Sequence, residues 1–86
     1  MTYAIEWRPS AAKALEGLPH DVSRRIYARV AGLAAEPRPV GSEKLVGGER
    51  EYRIRVGDYR VIYEVRDREV VVLVLRVAHR KDVYRR

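Results

Sequence analysis

Eighty-six residues, 35% of them charged and with a formal net charge of +6, suit one domain with a modest core and leave no room for a second. With no cysteine and only two isolated histidines, His20 and His79, disulfides, thiolate metal sites and a recognisable zinc spacing are excluded. The longest apolar run, Val70 to Leu75, is far too short to cross a bilayer, and Met1–Trp7 lacks the layout of a secretory leader, so a soluble cytoplasmic protein with no membrane partner is expected.

Thr2–Arg8 alternates, with Tyr3, Ile5 and Trp7 on one side, and reads as a half-buried strand. Pro9-Ser10 ends it, and Ser10 is placed to cap a short helix running to about Gly17. A second helix starts near Pro19–Asp21, where proline and aspartate suit a first turn. Its buried stripe is Val22, Ile26, Val30 and Leu33, with Arg24, Arg25 and Arg29 mostly outside it. Pro37 stops this helix. Residues 36–49 read as irregular, with Lys44-Leu45 anchoring a connecting loop. Three strands follow, about 51–56, 59–66 and 69–78, joined by the short links Gly57-Asp58 and Asp67-Arg68.

The order is β-α-α-β-β-β. It describes an α+β domain with a small, mainly antiparallel sheet and a helical hairpin packed on one face. The pairing partner of the first strand is not legible from periodicity. Tyr3, Trp7, Tyr27 and Tyr52 read as core or core-edge aromatics.

If Gly57-Asp58 is a two-residue turn, Val56 faces Tyr59, Arg55 faces Arg60, Ile54 faces Val61 and Tyr52 faces Tyr63. Apolar residues then meet on the helix-packed side, and Arg55 meets Arg60 on the other, with Arg53 two residues along. Like charges directly opposite destabilise a strand pair; clustered guanidinium groups make sense where an anion sits among them. The alternatives are arginines splayed into water or paired with Glu64 or Glu51. On the same side the last strands offer Ile62, Leu73 and Leu75 as an apolar floor.

Charge is placed unevenly along the chain. Residues 1–49 hold seven Lys or Arg against six Asp or Glu, whereas residues 50–86 hold eleven against six. Excess cation in one half points to a polyanionic partner, nucleic acid first. The exit of the last strand, Ala78-His79-Arg80-Lys81 and then Tyr84, adds cations, an imidazole and a phenol. These groups could bind a phosphate and move a proton. No metal or cofactor is called for.

The segments Tyr52–Val56, Gly57–Tyr63, Val71–Arg80 and Val83-Tyr84 together resemble the RelE-type toxins of bacterial toxin–antitoxin systems, over nearly the whole chain. Asp58-Tyr59-Arg60-Val61-Ile62-Tyr63 and His79-Arg80-Lys81-Asp82-Val83-Tyr84 carry the resemblance most specifically. It implies a RelE-like fold and a toxin that cuts mRNA in the ribosomal A site and so inhibits translation. It also implies a cognate antitoxin that wraps the toxin and neutralises it. By the same resemblance Arg60, Arg80 and Tyr84 are the catalytic residues and Arg53 and Arg55 match a supporting basic pair; His79 and Lys81, from their place at the strand exit, are read as further support for RNA or phosphate binding. Arg53 and Arg55 match a pair that is lysine in the best-known member. Arginine effectively keeps its proton, so a lysine-as-base role does not carry over, and Tyr84 or His79 is left to transfer the proton. Two rival readings are a ParE-like gyrase inhibitor of the same fold without RNase activity, and a nucleic-acid-binding domain without chemistry.

Overall fold

The computed structural model describes residues 2–82. Strand β1 (Ala4–Trp7) leads into helix α1 (Pro9–Glu16) and helix α2 (His20–Ala31), which tightens into a 3-10 turn over Gly32–Ala34. Strands β2 (Glu43–Lys44), β3 (Glu51–Val56), β4 (Tyr59–Arg66) and β5 (Val71–His79) follow. Among the described residues they form a five-stranded mixed sheet in the order β1-β5-β4-β3-β2. β1 runs parallel to β5, with Ile5 opposite Val72 and Trp7 opposite Val74; every other pairing is antiparallel.

The core lies between the helices and one face of the sheet. Ala11, Ile26, Val30 and Leu33 from the helical layer meet Ile54, Val61, Tyr63, Val65, Val72, Val74 and Val77 from the strands. The stripe on α2 follows helical spacing, as expected, and the sheet side follows the two-residue period of a strand. Tyr63 is fully buried, so its hydroxyl needs a partner. It donates to the Pro37 carbonyl at 2.8 Å, which pins the connecting loop to the sheet, and burial raises its pKa.

Local chemistry explains where elements begin and end differently from expectation. Arg8, not Ser10, is the capping residue of α1, with no side-chain cap bond, and Pro9 occupies the first turn. Proline there has a pre-set φ and lacks an N–H that would go unpaired anyway, while the Arg8 carbonyl accepts from Ala11 and Ala12. Strand β1 is shorter than Thr2–Arg8 because its pairing with β5 ends at Trp7. The segment between α2 and β3 is not wholly irregular, since Glu43 and Lys44 pair with Arg53 and Tyr52. Tyr27 is a surface residue, 60% exposed, stacked on Trp7 with ring centroids 6.3 Å apart.

The two hairpins of the meander differ. Gly57-Asp58 is a two-residue turn with φ 58° at Gly57, the conformation in which glycine takes the first central position of a type II′ turn. The second link is four residues long, Asp67 to Val70, because the ladder closes with Arg66 opposite Val71. Val70 sits there at φ 56°, left-handed backbone that a β-branched residue rarely adopts. Asp67 is held on both oxygens: the Tyr3 hydroxyl donates to Oδ1 at 2.6 Å and Arg38 Nη2 to Oδ2 at 2.7 Å. Arg38 also donates from Nε to the Tyr52 hydroxyl at 3.0 Å. The Arg38 guanidinium, then the Tyr3 hydroxyl, hold the Asp67 carboxyl below its usual range.

Strand β5 carries a bulge. Tyr63 pairs with Val74 and Ile62 with Arg76, leaving Leu75 as the extra residue. Strict alternation from Val72 and Val74 would aim Arg76 into the core; the bulge shifts the phase, so Val77 is buried instead and Arg76 joins Ile62 on the open face.

Candidate nucleic-acid interface

The face of the sheet away from the core holds Arg53, Arg55 and Arg60 of the residues singled out from sequence. The β3–β4 register is the expected one: Arg55 opposite Arg60, Arg53 opposite Ile62, Val56 opposite Tyr59. Pairing continues outward to Glu43 opposite Arg53 and inward to Ala78 opposite Arg60. Residues directly opposite share a face, so Arg53, Arg55 and Arg60 stand together, with Ile62 among them and Glu43 at the rim.

Glu43 reports the field these arginines make. Arg53 Nη2 donates to its Oε1 at 2.9 Å. That bond first, and then the charges of Arg53, Arg55 and Arg60, hold the Glu43 carboxyl below its usual range. Three guanidinium groups therefore act on one carboxylate, the behaviour expected of a site where cations converge. Glu43 is a solvent-exposed anion on the arginine face, its side chain 67% exposed. The partners expected from the sequence were Glu51 and Glu64; Glu43 was not among them, because a two-residue exposed strand leaves no periodic signal.

Arg60 and Arg80 each bond to the Gly57-Asp58 turn. Arg60 Nη1 donates to the Tyr59 carbonyl at 3.0 Å and to the Gly57 carbonyl at 3.2 Å. The Arg80 backbone N–H donates to the Asp58 carbonyl at 2.7 Å, and its Nε lies 3.8 Å from Asp58 Oδ1. The Arg80 side chain is 59% exposed and so accessible to a ligand, and the backbone bond fixes where it leaves the chain.

His79 stands apart from this group. It pairs with Tyr59, one residue out of phase with Arg60, and therefore lies on the helix side. Its ring meets the Tyr59 ring edge-on at 5.4 Å and 83°, and its Nδ1 accepts from the Lys81 backbone N–H at 3.2 Å. Lys81 is exposed in the turn after β5. Tyr84 lies outside the described residues.

The other end of the open face is electrically different. Arg66 pairs with Glu64 on its own strand, and Glu64, then Glu69 and Glu6, raise the Arg66 pKa. Cation and anion alternate there; near the Gly57 turn cations accumulate.

A family model described as the ParE toxin of type II toxin-antitoxin system, parDE, matches residues 5–84. Toxin RelG of Mycobacterium tuberculosis is 33% identical over 90 residues, covering 100% of both chains. The fold is similar to that of the archaeal RelE in the RelE–RelB complex from Pyrococcus horikoshii, at TM-score 0.83 and 35% identity, over 96% of this chain and 100% of that one. A free E. coli RelE carrying two arginine-to-alanine substitutions also aligns at TM-score 0.83, with 27% identity over 96% of this chain and 88% of that one.

Proposed function

The chain belongs to the ParE toxin family of type II toxin–antitoxin systems, within the RelE/ParE superfamily, and from that membership we propose that it is a ribosome-dependent mRNA endonuclease of the cytoplasm. The observation that carries this reading is the Arg55–Arg60 cross-strand pair with Arg53 beside it. A like-charged pair costs stability, and a bound phosphate offsets that cost.

RNA brings its own nucleophile. The 2′-oxygen attacks the adjacent phosphorus in line, the bond to the 5′-oxygen breaks, and the products are a 2′,3′-cyclic phosphate and a 5′-hydroxyl. One proton leaves the 2′-hydroxyl and one reaches the departing 5′-oxygen. Arg60 and Arg80 hold the non-bridging oxygens as negative charge builds on them, and Arg53 and Arg55 steer the backbone. The phosphate takes the place of Glu43 against Arg53. Tyr84, two residues before Arg86, is the proton-transfer candidate. His79, packed on Tyr59 on the helix side, would have to turn about the strand exit to serve. Lys81 adds charge along the RNA path.

A cognate antitoxin is the protein partner, acidic where it meets the arginine face; the P. horikoshii relative was solved with RelB. A second reading, inhibition of gyrase without RNA cleavage, is favoured by the description of the matching family model. Mapping mRNA 5′ ends after adding the purified protein to programmed ribosomes separates the two. The proposal expects discrete A-site cuts that Arg60→Ala, Arg80→Ala and Tyr84→Ala each weaken while antitoxin binding persists. Intact mRNA together with blocked supercoiling would establish the gyrase reading.

A further inference from the structure

The open face holds a second concavity beside the arginine cluster. It encloses about 560 Å³ between helix α1, which contributes Ser10 and Ala14, and the strands, with Arg8, Glu51, Ile62, Leu75 and Arg76 among its lining. Its construction depends on the β5 bulge. Leu75 is the unpaired extra residue and Arg76 comes opposite Ile62, so the phase shift brings a guanidinium to a groove that regular alternation would have denied it. Bulges commonly re-aim side chains beside functional sites. Arg76 Nη2 donates to the Asp82 carbonyl at 2.7 Å, which ties the groove to the segment that delivers Arg80.

Three chemistries meet in this space: an apolar floor of Ile62 and Leu75, two cations of fixed charge, Arg8 and Arg76, and one carboxylate, Glu51. Ile62 lies two residues from Arg60 on the same face of β4, so the groove begins roughly 7 Å from the phosphate-binding arginine, comparable with one nucleotide step of an extended single strand. An apolar floor flanked by arginines suits a base and its phosphate. A carboxylate only accepts hydrogen bonds when ionised, so it selects bases that present an amino group.

We propose that this groove is a base-selecting nucleotide subsite for the residue next to the cleaved bond. The base lies on Ile62 and Leu75, its phosphate sits between Arg8 and Arg76, and its exocyclic amino group donates to Glu51. Cytosine, adenine and guanine, each with an exocyclic amino group, fit; uracil, which has none, is disfavoured. This assignment rests on the RNA-cleaving reading above.

The test uses programmed ribosomes carrying mRNAs that differ only in the base beside the scissile bond. The full-length protein should cut cytosine, adenine or guanine templates about tenfold faster than uracil templates, a factor equivalent to about 1.4 kcal/mol. Glu51→Gln, which can donate to a carbonyl as well as accept, should bring that ratio to within about twofold by raising the uracil rate. Arg8→Ala and Arg76→Ala should each raise KM for every template without reordering them. An unchanged base ranking in Glu51→Gln, with Arg60-dependent cutting intact, overturns the subsite and spares the nuclease. Altered antitoxin affinity in these variants with unaltered cleavage assigns the groove to the antitoxin and likewise overturns it. If the unsubstituted protein cuts no mRNA on the ribosome, the nuclease reading falls and takes the subsite with it.

Discussion

Strand β4 ends in two hairpin turns that solve the same backbone problem in opposite ways. At one end Gly57 takes φ 58°, and the adjoining strands place Arg55 against Arg60. At the other Val70 takes φ 56°, and Arg66 is paired with Glu64. The first end has relaxed backbone and unbalanced charge; the second has balanced charge and strained backbone. A left-handed L-residue costs roughly 1–2 kcal/mol, while like charges directly opposite in a sheet cost a few tenths to about 1 kcal/mol. Each end therefore carries a local penalty. Only the arginine end has one that a ligand can relieve, and that difference is the physical ground for the site proposed there.

Removing an arginine from each end gives the largest contrast. Arg60→Ala should slow mRNA cleavage on programmed ribosomes by on the order of a hundredfold or more, the usual scale for losing an aimed charge donor. Arg66→Ala, at the balanced end, should change the rate by less than about twofold. Equal losses in the two variants would mean that the face acts through total charge alone, and the site would dissolve into a general basic surface.

The strained end is the next place to press. Val70→Asn puts a residue tolerant of left-handed backbone at φ 56°, and should stabilise the protein by about 1 kcal/mol. For a domain of this size that raises Tm by roughly 4–8 °C, with cleavage unaffected. Thermal unfolding followed by circular dichroism reads the change directly. A lower Tm would mean that Val70 packing outweighs its backbone strain.

How much of this was legible in the chain depended on whether the decisive interaction was local. The β3–β4 register followed from Gly57-Asp58 and a period of two, because a tight turn fixes pairing by itself. The partner of β1 did not, since a parallel pairing across more than sixty intervening positions leaves no local trace. The bulge was hidden because Val70 to Leu75 is apolar throughout, and a strand without alternation shows no slip in phase. The unseen bulge, by shifting the register by one residue, also concealed that His79 is out of phase with Arg60. Glu43 was hidden because β2 is two exposed residues. The arginines themselves were visible by type and spacing, and the likeness to RelE-type toxins singled out Arg60, Arg80 and Tyr84 among them.

A smaller effect should come from relieving repulsion at the arginine end. Arg55→Thr replaces a like-charged neighbour of Arg60 with a residue that favours strands. Urea unfolding should show a gain of about 0.5 kcal/mol, alongside weaker binding of a non-cleavable oligonucleotide. The two changes must have opposite signs. A variant that lost both stability and binding would show that Arg55 contributes to the fold, and the argument from electrostatic cost would fail.

The finest distinction concerns the carboxylate already seated among the arginines. Arg53 and its neighbours hold the Glu43 carboxyl below its ordinary value. Because the folded pKa is depressed, the ion pair contributes fully above the unfolded value near 4.5 and is lost as pH falls through the lower folded one. A phosphodiester stays ionised over that range, so a competitor disappears while the ligand keeps its charge. Affinity of a non-cleavable oligonucleotide should therefore rise on acidification from about pH 5 to about pH 3, in the range where the fold survives. Glu43→Gln should bind a few-fold more tightly at neutral pH, as an exposed ion pair allows, and should lose the acid rise. Identical pH profiles for the two proteins would show that Glu43 does not contest the phosphate site, and the arginines would have to be regarded as open to ligand at every pH.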